Sequence, residues 1–159
     1  MADASSIEPR VFLQPGELFT SESPVKVKTV LGSCVAIVMR APLRGMAAIS
    51  HCMLPEAGDA GRVLPRGEAL RYVDATVEIM MRGFSARGIG HGELEAKLFG
   101  GAQQAAQETY RIGYKNVEAA RAALARHGIA VVESVTGGRH GTVIEVDTGT
   151  GVVLVKRLS

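Results

Sequence analysis

Cys34 and His51 are the two residues whose types and spacing point to chemistry. Cys34 follows Gly32 and Ser33 at the start of an apolar run, and His51 lies near the end of the next apolar run. If the two runs form neighbouring strands, a thiol and an imidazole meet, which is the minimum equipment for covalent attack on a carbonyl-type carbon. A free thiol has a pKa of about 8.5 and is mostly protonated at neutral pH, and a nearby imidazole can shift it to the reactive thiolate.

The residues before Cys34 suggest how such a site could be completed. Gly32 and Ser33 allow a tight turn, which would leave the sulfur at a strand end and aim backbone N–H groups at a developing oxyanion. The imidazole needs a partner that fixes its tautomer, and the hydroxyl or carbonyl of Thr29 could accept its other ring N–H. Simpler interpretations stay open: a cysteine in an apolar segment is commonly a small buried hydrophobe, and Thr29 is an ordinary strand former.

Cys52 lies directly beside His51 and needs a separate interpretation. Side chains alternate between the two faces of a strand, so if His51 faces Cys34, Cys52 faces away from it. We therefore interpret Cys52 as a core residue. Together with His91, these residues show none of the short paired spacings of zinc ligands, and the sequence favours no metal site.

Two glycine-rich segments, 97–102 and 137–141, resemble phosphate-binding loops only superficially. Neither has the Walker spacing or the dinucleotide fingerprint with its acidic partner. Tight turns and close backbone approach are the better explanation for these glycines. We expect no cofactor.

The composition excludes several classes of protein. The net charge is only +2, aromatic residues make up 4% and tryptophan is absent, which argues against a nucleic-acid-binding protein. No apolar run approaches the roughly 20 residues of a spanning helix, and no signal peptide is visible. Two cysteines without a secretory signal indicate free thiols, so we expect a cytoplasmic protein that is not inserted in a membrane.

The elements that must position these residues follow from the apolar pattern. The 159 residues suit one domain, which we place at 11–159 after a flexible extension over 1–10. Short β-branched and apolar runs predict about seven strands, at 25–30, 34–39, 46–53, 94–99, 129–135, 142–147 and 152–156. The last two should form a hairpin.

Two main helices complete the pattern. The first, over 67–87, carries one apolar stripe at helical spacing, formed by Leu70, Val73, Val77, Met80, Met81 and Phe84. The second covers 113–127, with Val117, Ala120 and Leu124 facing inward. Segment 56–65 should be a surface loop. Because grouped strands outnumber helices, the sequence predicts a layered α/β sandwich with a mixed, mostly antiparallel sheet.

Six segments, in this order and spacing, carry a likeness to a known family: Leu31-Gly32-Ser33-Cys34-Val35, His51-Cys52-Met53-Leu54-Pro55, Ala96-Lys97-Leu98-Phe99-Gly100-Gly101-Ala102, Ile112-Gly113-Tyr114-Lys115-Asn116-Val117, Gly137-Gly138-Arg139-His140-Gly141 and Thr148-Gly149-Thr150-Gly151. Each alone is modest, but together they are highly specific. From about residue 25 to residue 156 the chain resembles the CheD-type chemoreceptor glutamine deamidases.

The resemblance implies an α/β sandwich related to the deamidase domain of cytotoxic necrotizing toxins. It implies Cys34 as nucleophile, His51 as general base and acid, and Thr29 as the group that orients His51. The implied substrate is a glutamine side chain on the cytoplasmic helices of chemoreceptors, which becomes glutamate. Some members also hydrolyse receptor glutamyl methyl esters, and some bind a CheC-type phosphatase that occupies the substrate site.

Two other functions stay open at this point. A non-catalytic adaptor could dock receptors or the phosphatase with the same surface and without a reactive thiol. A cysteine amidase for small metabolites would need a deep, enclosed pocket. Three departures from the family pattern concern docking and not chemistry: Thr142 stands for a common Arg, Gln104 for a frequent Met and Ser50 for the usual Ala.

Overall fold

Nine strands and three helices make up the part of the chain that the computed structural model describes, residues 9–103 and 111–159. The strands are β1 (Arg10–Phe12), β2 (Leu18–Ser21), β3 (Lys26–Leu31), β4 (Val35–Ala41), β5 (Met46–Cys52), β6 (Glu95–Gly100), β7 (Ala130–Thr136), β8 (Thr142–Asp147) and β9 (Val153–Arg157). The helices are α1 (Arg66–Ala69), α2 (Val73–Ser85) and α3 (Ile112–Arg126). Short 3₁₀ turns cover Gly58–Arg62 and His91–Glu93.

The strands form two sheets. The first has the order β1-β3-β8-β9 and the second the order β2-β5-β4-β6-β7. The pairs β1–β3 and β6–β7 are parallel and the other five are antiparallel. The predicted α/β class, its mostly antiparallel pairing and the β8–β9 hairpin are confirmed. The predicted number of strands is too low, because β1 and β2 are short and have no clear alternating pattern.

Three layers result from the packing of these sheets. Apolar side chains of both sheets meet between them, among them Val27 and Ile144 from the first sheet and Ile49 and Phe99 from the second. The other face of the second sheet is covered by α2 and α3. Strands β4 and β5 are therefore buried on both faces, which explains why they read as continuous apolar runs in the sequence.

The single helix expected over 67–87 is interrupted between α1 and α2. The carbonyl of Arg71 accepts hydrogen bonds from the backbone N–H groups of Met53 and Leu54, both at 2.9 Å, and Val73 N–H donates to the carbonyl of Leu54. These backbone groups serve the segment after β5 and so cannot continue a helix. The prediction was wrong here because tertiary hydrogen bonds override the helical pattern.

The second predicted helix agrees with α3, which buries Val117, Ala120 and Leu124 as expected. Residues 1–8 of the expected extension lie outside the described part of the chain, and its last residue, Arg10, begins β1. None of the helices in the described ranges is long and apolar enough to cross a membrane.

Candidate active site

The pairing of β4 with β5 brings Cys34 and His51 to the same end of the second sheet. His51 is directly opposite Ala36, and Cys34 precedes Ala36 by two residues. Positions with this diagonal relation share one face and lie about 7–8 Å apart, within reach of the longer side chains. Cys34 is half-buried and packs against the cluster between the two sheets, as Ala36 does. The thiol and the imidazole thus belong to the same face.

Cys52 belongs to the opposite face. It lies in the apolar cluster beneath α2 and α3 and has no exposed surface. Burial raises the pKa of the Cys52 thiol to about 11, so this thiol is inert at neutral pH. The expected role of Cys52 as a core residue is confirmed.

Thr29 approaches His51 from the other sheet. It lies on β3 and is buried, and its Oγ1 is 2.7 Å from His51 Nδ1 and 2.8 Å from the carbonyl oxygen of Leu13. A carbonyl only accepts, so the single hydroxyl proton of Thr29 goes to Leu13. Thr29 therefore accepts from Nδ1–H of His51. This leaves the lone pair of the neutral imidazole on Nε2, the nitrogen a general base would use.

The backbone of His51 is held by the segment between β1 and β2. Gly16 N–H donates to the His51 carbonyl at 2.8 Å, and His51 N–H donates to the carbonyl of Glu17 at 3.2 Å. The same segment supplies the Leu13 carbonyl that fixes the Thr29 hydroxyl. The sequence interpretation missed this support because it comes from backbone groups, which leave no residue-type signal.

Burial controls the charge state of both candidate groups. His51 is only 2% exposed, and burial lowers its pKa to about 4. Burial also raises the pKa of the Cys34 thiol. A hydrogen bond from the backbone N–H of Cys34 lowers this pKa and offsets part of the increase. At neutral pH the pair is a neutral thiol beside a neutral imidazole. Burial thus disfavours the thiolate of Cys34 in the free protein.

Three hydrogen bonds hold the loop that carries Cys34. The carbonyl of Gly32 accepts from Ala102 N–H at 2.9 Å, and the carbonyl of Cys34 accepts from Gly101 N–H at 2.8 Å. The carbonyl of Ser33 accepts from Nδ2 of Asn116 at 2.9 Å. The carbonyl groups of the loop are thereby fixed by the protein. An oxyanion-binding role for the backbone N–H groups near Gly32 and Ser33 stays a prediction.

Gly100 and Gly101 permit the close approach of their turn to this loop. Both have left-handed backbone angles, with φ of +99° and +70°. A Cβ atom on Gly100 would collide with the carbonyl oxygen of Cys34, and one on Gly101 with a methyl group of Val117. Our interpretation of this pair as a device for close backbone approach is confirmed.

Asn116 is a site residue that the sequence interpretation missed. It lies on α3 and has no exposed surface, and its Nδ2 also donates to the carbonyl of Met53 at 3.2 Å. Its Oδ1 is buried and finds no hydrogen-bond partner among the described residues. One signal was available: Asn116 is four residues before Ala120 on the apolar side of the predicted helix, where a polar side chain needs a partner.

Two of the three departures from the family pattern lie in the described part of the chain. Ser50 is fully buried on β5, and its Oγ lies 3.4 Å from the backbone nitrogen of Ile37. Thr142 begins β8, and its Oγ1 is buried with no partner in the described part of the chain. Gln104 lies outside the described residues. Within 9–103 and 111–159, no group of three or more His, Cys, Asp or Glu side chains is placed to hold a metal ion.

Three cavities of the described part are lined by neither Cys34 nor His51. One, of about 530 Å³, lies between the 3₁₀ turn at Gly58–Arg62 and α2. Cavities of about 370 and 410 Å³ flank the turn at Gly100 and Gly101. Since neither Cys34 nor His51 lines any of these three, their size is no guide to the site.

The geometry defines a layered α/β protein in which a thiol, an imidazole and a hydroxyl are gathered at one end of two packed sheets. The family model described as "CheD chemotactic sensory transduction" matches residues 53–157. The chain belongs to the CheD family, as its sequence motifs indicated. The matched range begins after Thr29, Cys34 and His51 in the chain.

Individual relatives extend the match over nearly the whole chain. "Probable chemoreceptor glutamine deamidase CheD 2" of Geobacter sulfurreducens is 39% identical over 153 residues, 95% of this chain and 91% of the relative. "Probable chemoreceptor glutamine deamidase CheD" of Maridesulfovibrio salexigens is 37% identical over 156 residues, 94% and 92% of the two chains. The protein of the same description from Thermococcus kodakarensis is 37% identical over 132 residues, 81% and 80%.

Proposed function

We propose that this protein is a chemoreceptor glutamine deamidase that uses Cys34 as its nucleophile, His51 as general base and acid, and Thr29 to orient His51. One observation carries the proposal. The hydrogen-bond chain from His51 Nδ1 through Thr29 Oγ1 to the Leu13 carbonyl leaves Nε2 of His51 free to accept a proton. Family membership and the descriptions of the relatives support the substrate class.

The first half of the reaction forms a thioester. As Cys34 Sγ attacks the carboxamide carbon of the substrate glutamine, the thiol proton moves to His51 Nε2, so the neutral pair is a competent starting state. The developing oxyanion is stabilised by backbone N–H groups near Gly32 and Ser33. His51 then gives its proton to the departing nitrogen, the C–N bond breaks and ammonia leaves.

The second half regenerates the enzyme. His51 Nε2 takes a proton from water as the water oxygen attacks the thioester carbon. The C–S bond breaks and the Cys34 sulfur recovers the proton from His51. The substrate side chain leaves as glutamate. A glutamyl methyl ester fits the same sequence of steps, with methanol leaving in place of ammonia, so we include receptor methyl esters as a second substrate.

The partners follow from the substrate. We propose the cytoplasmic helices of methyl-accepting chemoreceptors as the surface that binds near Cys34, and the cytoplasm as the compartment. A CheC-type phosphatase would compete for that surface.

The second candidate function is a non-catalytic adaptor with the same partners. One observation favours it: burial raises the pKa of the Cys34 thiol and so makes it a poor nucleophile in the free protein.

Turnover separates the two functions. Purified protein is incubated with a receptor cytoplasmic domain, and conversion of glutamine to glutamate is read by mass spectrometry. We expect conversion with the unaltered protein and with Cys52→Ala, and none with Cys34→Ala. Cys52→Ala is the matched control because its thiol lies on the opposite face of β5. Conversion by Cys34→Ala would contradict the proposed mechanism, and receptor binding without conversion by the unaltered protein would favour the adaptor.

A further inference from the structure

We propose that Asn116 is a positioning residue that sets the separation between the nucleophile and the base. The inference rests on the proposed function, since it concerns the same thiol and imidazole. Asn116 takes no part in the pairing of the strands or in the hydrogen-bond chain of Thr29. It lies on α3, on the opposite side of the second sheet from the cluster that contains Cys34.

The side-chain amide of Asn116 joins the two segments that carry the reacting groups. Its Nδ2 donates to the carbonyl of Ser33, the residue before Cys34, and to the carbonyl of Met53, two residues after His51. The two distances are 2.9 and 3.2 Å. Both protons of one amide nitrogen are thus used, one for each segment.

This bridge lies just beyond the region that strand pairing controls. The paired register of β4 and β5 ends at Val35 opposite Cys52, so Cys34 and Met53 are the first residues outside the ladder. Beyond this point the Cys34 loop is held to the turn at Gly101 and Met53 is held to Arg71, but none of these hydrogen bonds joins the two chain ends to each other. Asn116 does so, at Ser33, two residues before Val35, and at Met53, one residue after Cys52.

The other end of the amide supports the same conclusion. Oδ1 of Asn116 is buried and has no hydrogen-bond partner among the described residues. A buried acceptor without a partner destabilises a fold, and an apolar residue of similar shape would avoid that loss. The neighbouring core residues of α3, Val117 and Leu124, are apolar as expected. The donor end of the amide is therefore the reason for an asparagine at this position.

The test is a double-mutant cycle read at Cys34. Asn116→Leu removes both donors with little change in volume, and His51→Gln removes the base. The rate of alkylation of Cys34 by iodoacetamide at neutral pH is measured for the unaltered protein, both single variants and the double variant. Cys52 does not interfere because it is fully buried. Leu124→Ala, another buried residue of α3, is the matched control for a general loss of stability.

We expect His51→Gln to slow alkylation at least about tenfold in the unaltered background. In the Asn116→Leu background the same change should have little further effect, because the base is already displaced. In the Leu124→Ala background it should keep its full effect. Equal effects of His51→Gln in all three backgrounds would overturn the proposal. Asn116→Asp, which keeps the shape but has at most one donor, replaces Asn116→Leu if that variant does not fold.

Receptor deamidation provides the second readout. We expect Asn116→Leu to lower kcat by about 10- to 100-fold, since a displacement of about 1 Å has effects of this size. KM should be unchanged because Asn116 is buried and does not meet the receptor. An unchanged kcat would overturn the proposal. Coupling in the alkylation cycle without any receptor turnover in the unaltered protein would instead support the role of Asn116 and contradict the proposed function.

Discussion

The buried imidazole of His51 makes stability depend on pH in a window that the structure defines. In the unfolded chain a histidine has a pKa of about 6.5, and in the folded protein burial lowers the pKa of His51 to about 4. Between these values the unfolded chain binds a proton that the folded protein does not. The free energy of unfolding is therefore highest above pH 6.5 and falls as the pH drops toward 4.

The size of this effect follows from the two pKa values. At 1.36 kcal/mol for each tenfold change in proton affinity, the full contribution is about 3 kcal/mol, of which about 2 kcal/mol is lost between pH 7.5 and pH 5. The rest of the chain has its own dependence of stability on pH. The contribution of His51 must therefore be taken as a difference between two proteins.

The variant His51→Gln is the second protein in this comparison of unfolding free energies. Its amide N–H can still donate to Thr29 Oγ1, but the side chain does not titrate. Urea unfolding is followed by far-UV circular dichroism, because the chain has no tryptophan. We expect the unaltered protein to lose about 2 kcal/mol more than His51→Gln between pH 7.5 and pH 5. Equal losses in the two proteins would refute the depressed pKa and, with it, the neutral starting state of the mechanism.

Three further predictions concern residues around the imidazole. Thr29→Val should lower kcat by about 10²-fold or more, because the tautomer of His51 is no longer fixed. Thr29→Ser should keep most activity, and equal kcat values in the two variants would contradict the assigned tautomer. Gly101→Ala should destabilise the protein by about 1–3 kcal/mol in thermal unfolding, since its Cβ would collide with Val117. Cys52→Ala should lower stability by about 1 kcal/mol and leave kcat unchanged, and a large loss of kcat would show that its thiol is not a simple core group.

The sequence predicts those parts of the fold whose apolar residues form a clear run or a regular pattern. The strands β4 and β5 were predicted within two residues because they are continuous apolar runs, and the helix α3 because its buried face repeats at helical spacing. The break between α1 and α2 could not be predicted. It depends on backbone hydrogen bonds to Met53 and Leu54, which only the folded chain brings into reach.

Part of the candidate site could likewise be predicted from the sequence, and part could not. Cys34 and His51 were proposed because their residue types carry chemistry, Thr29 gained its proposed role from the family resemblance, and strand alternation placed Cys52 on the other face. The raised pKa of the Cys34 thiol could not be predicted, because the sequence does not reveal how deeply the thiol is buried. Asn116 was missed since a polar residue on a helix is usually exposed.

The support of His51 depends on the length of the segment between β1 and β2. This segment supports His51 through the Leu13 carbonyl, the Gly16 N–H and the Glu17 carbonyl, all of which are main-chain atoms. Any residue offers the two carbonyls, but Gly16 has a φ of +80°, which favours glycine, and the side chain of Leu13 is buried in the core. Removing one residue would shift all three groups at once. The length of this segment and the glycine at position 16 must therefore both be kept for the support of His51 to persist.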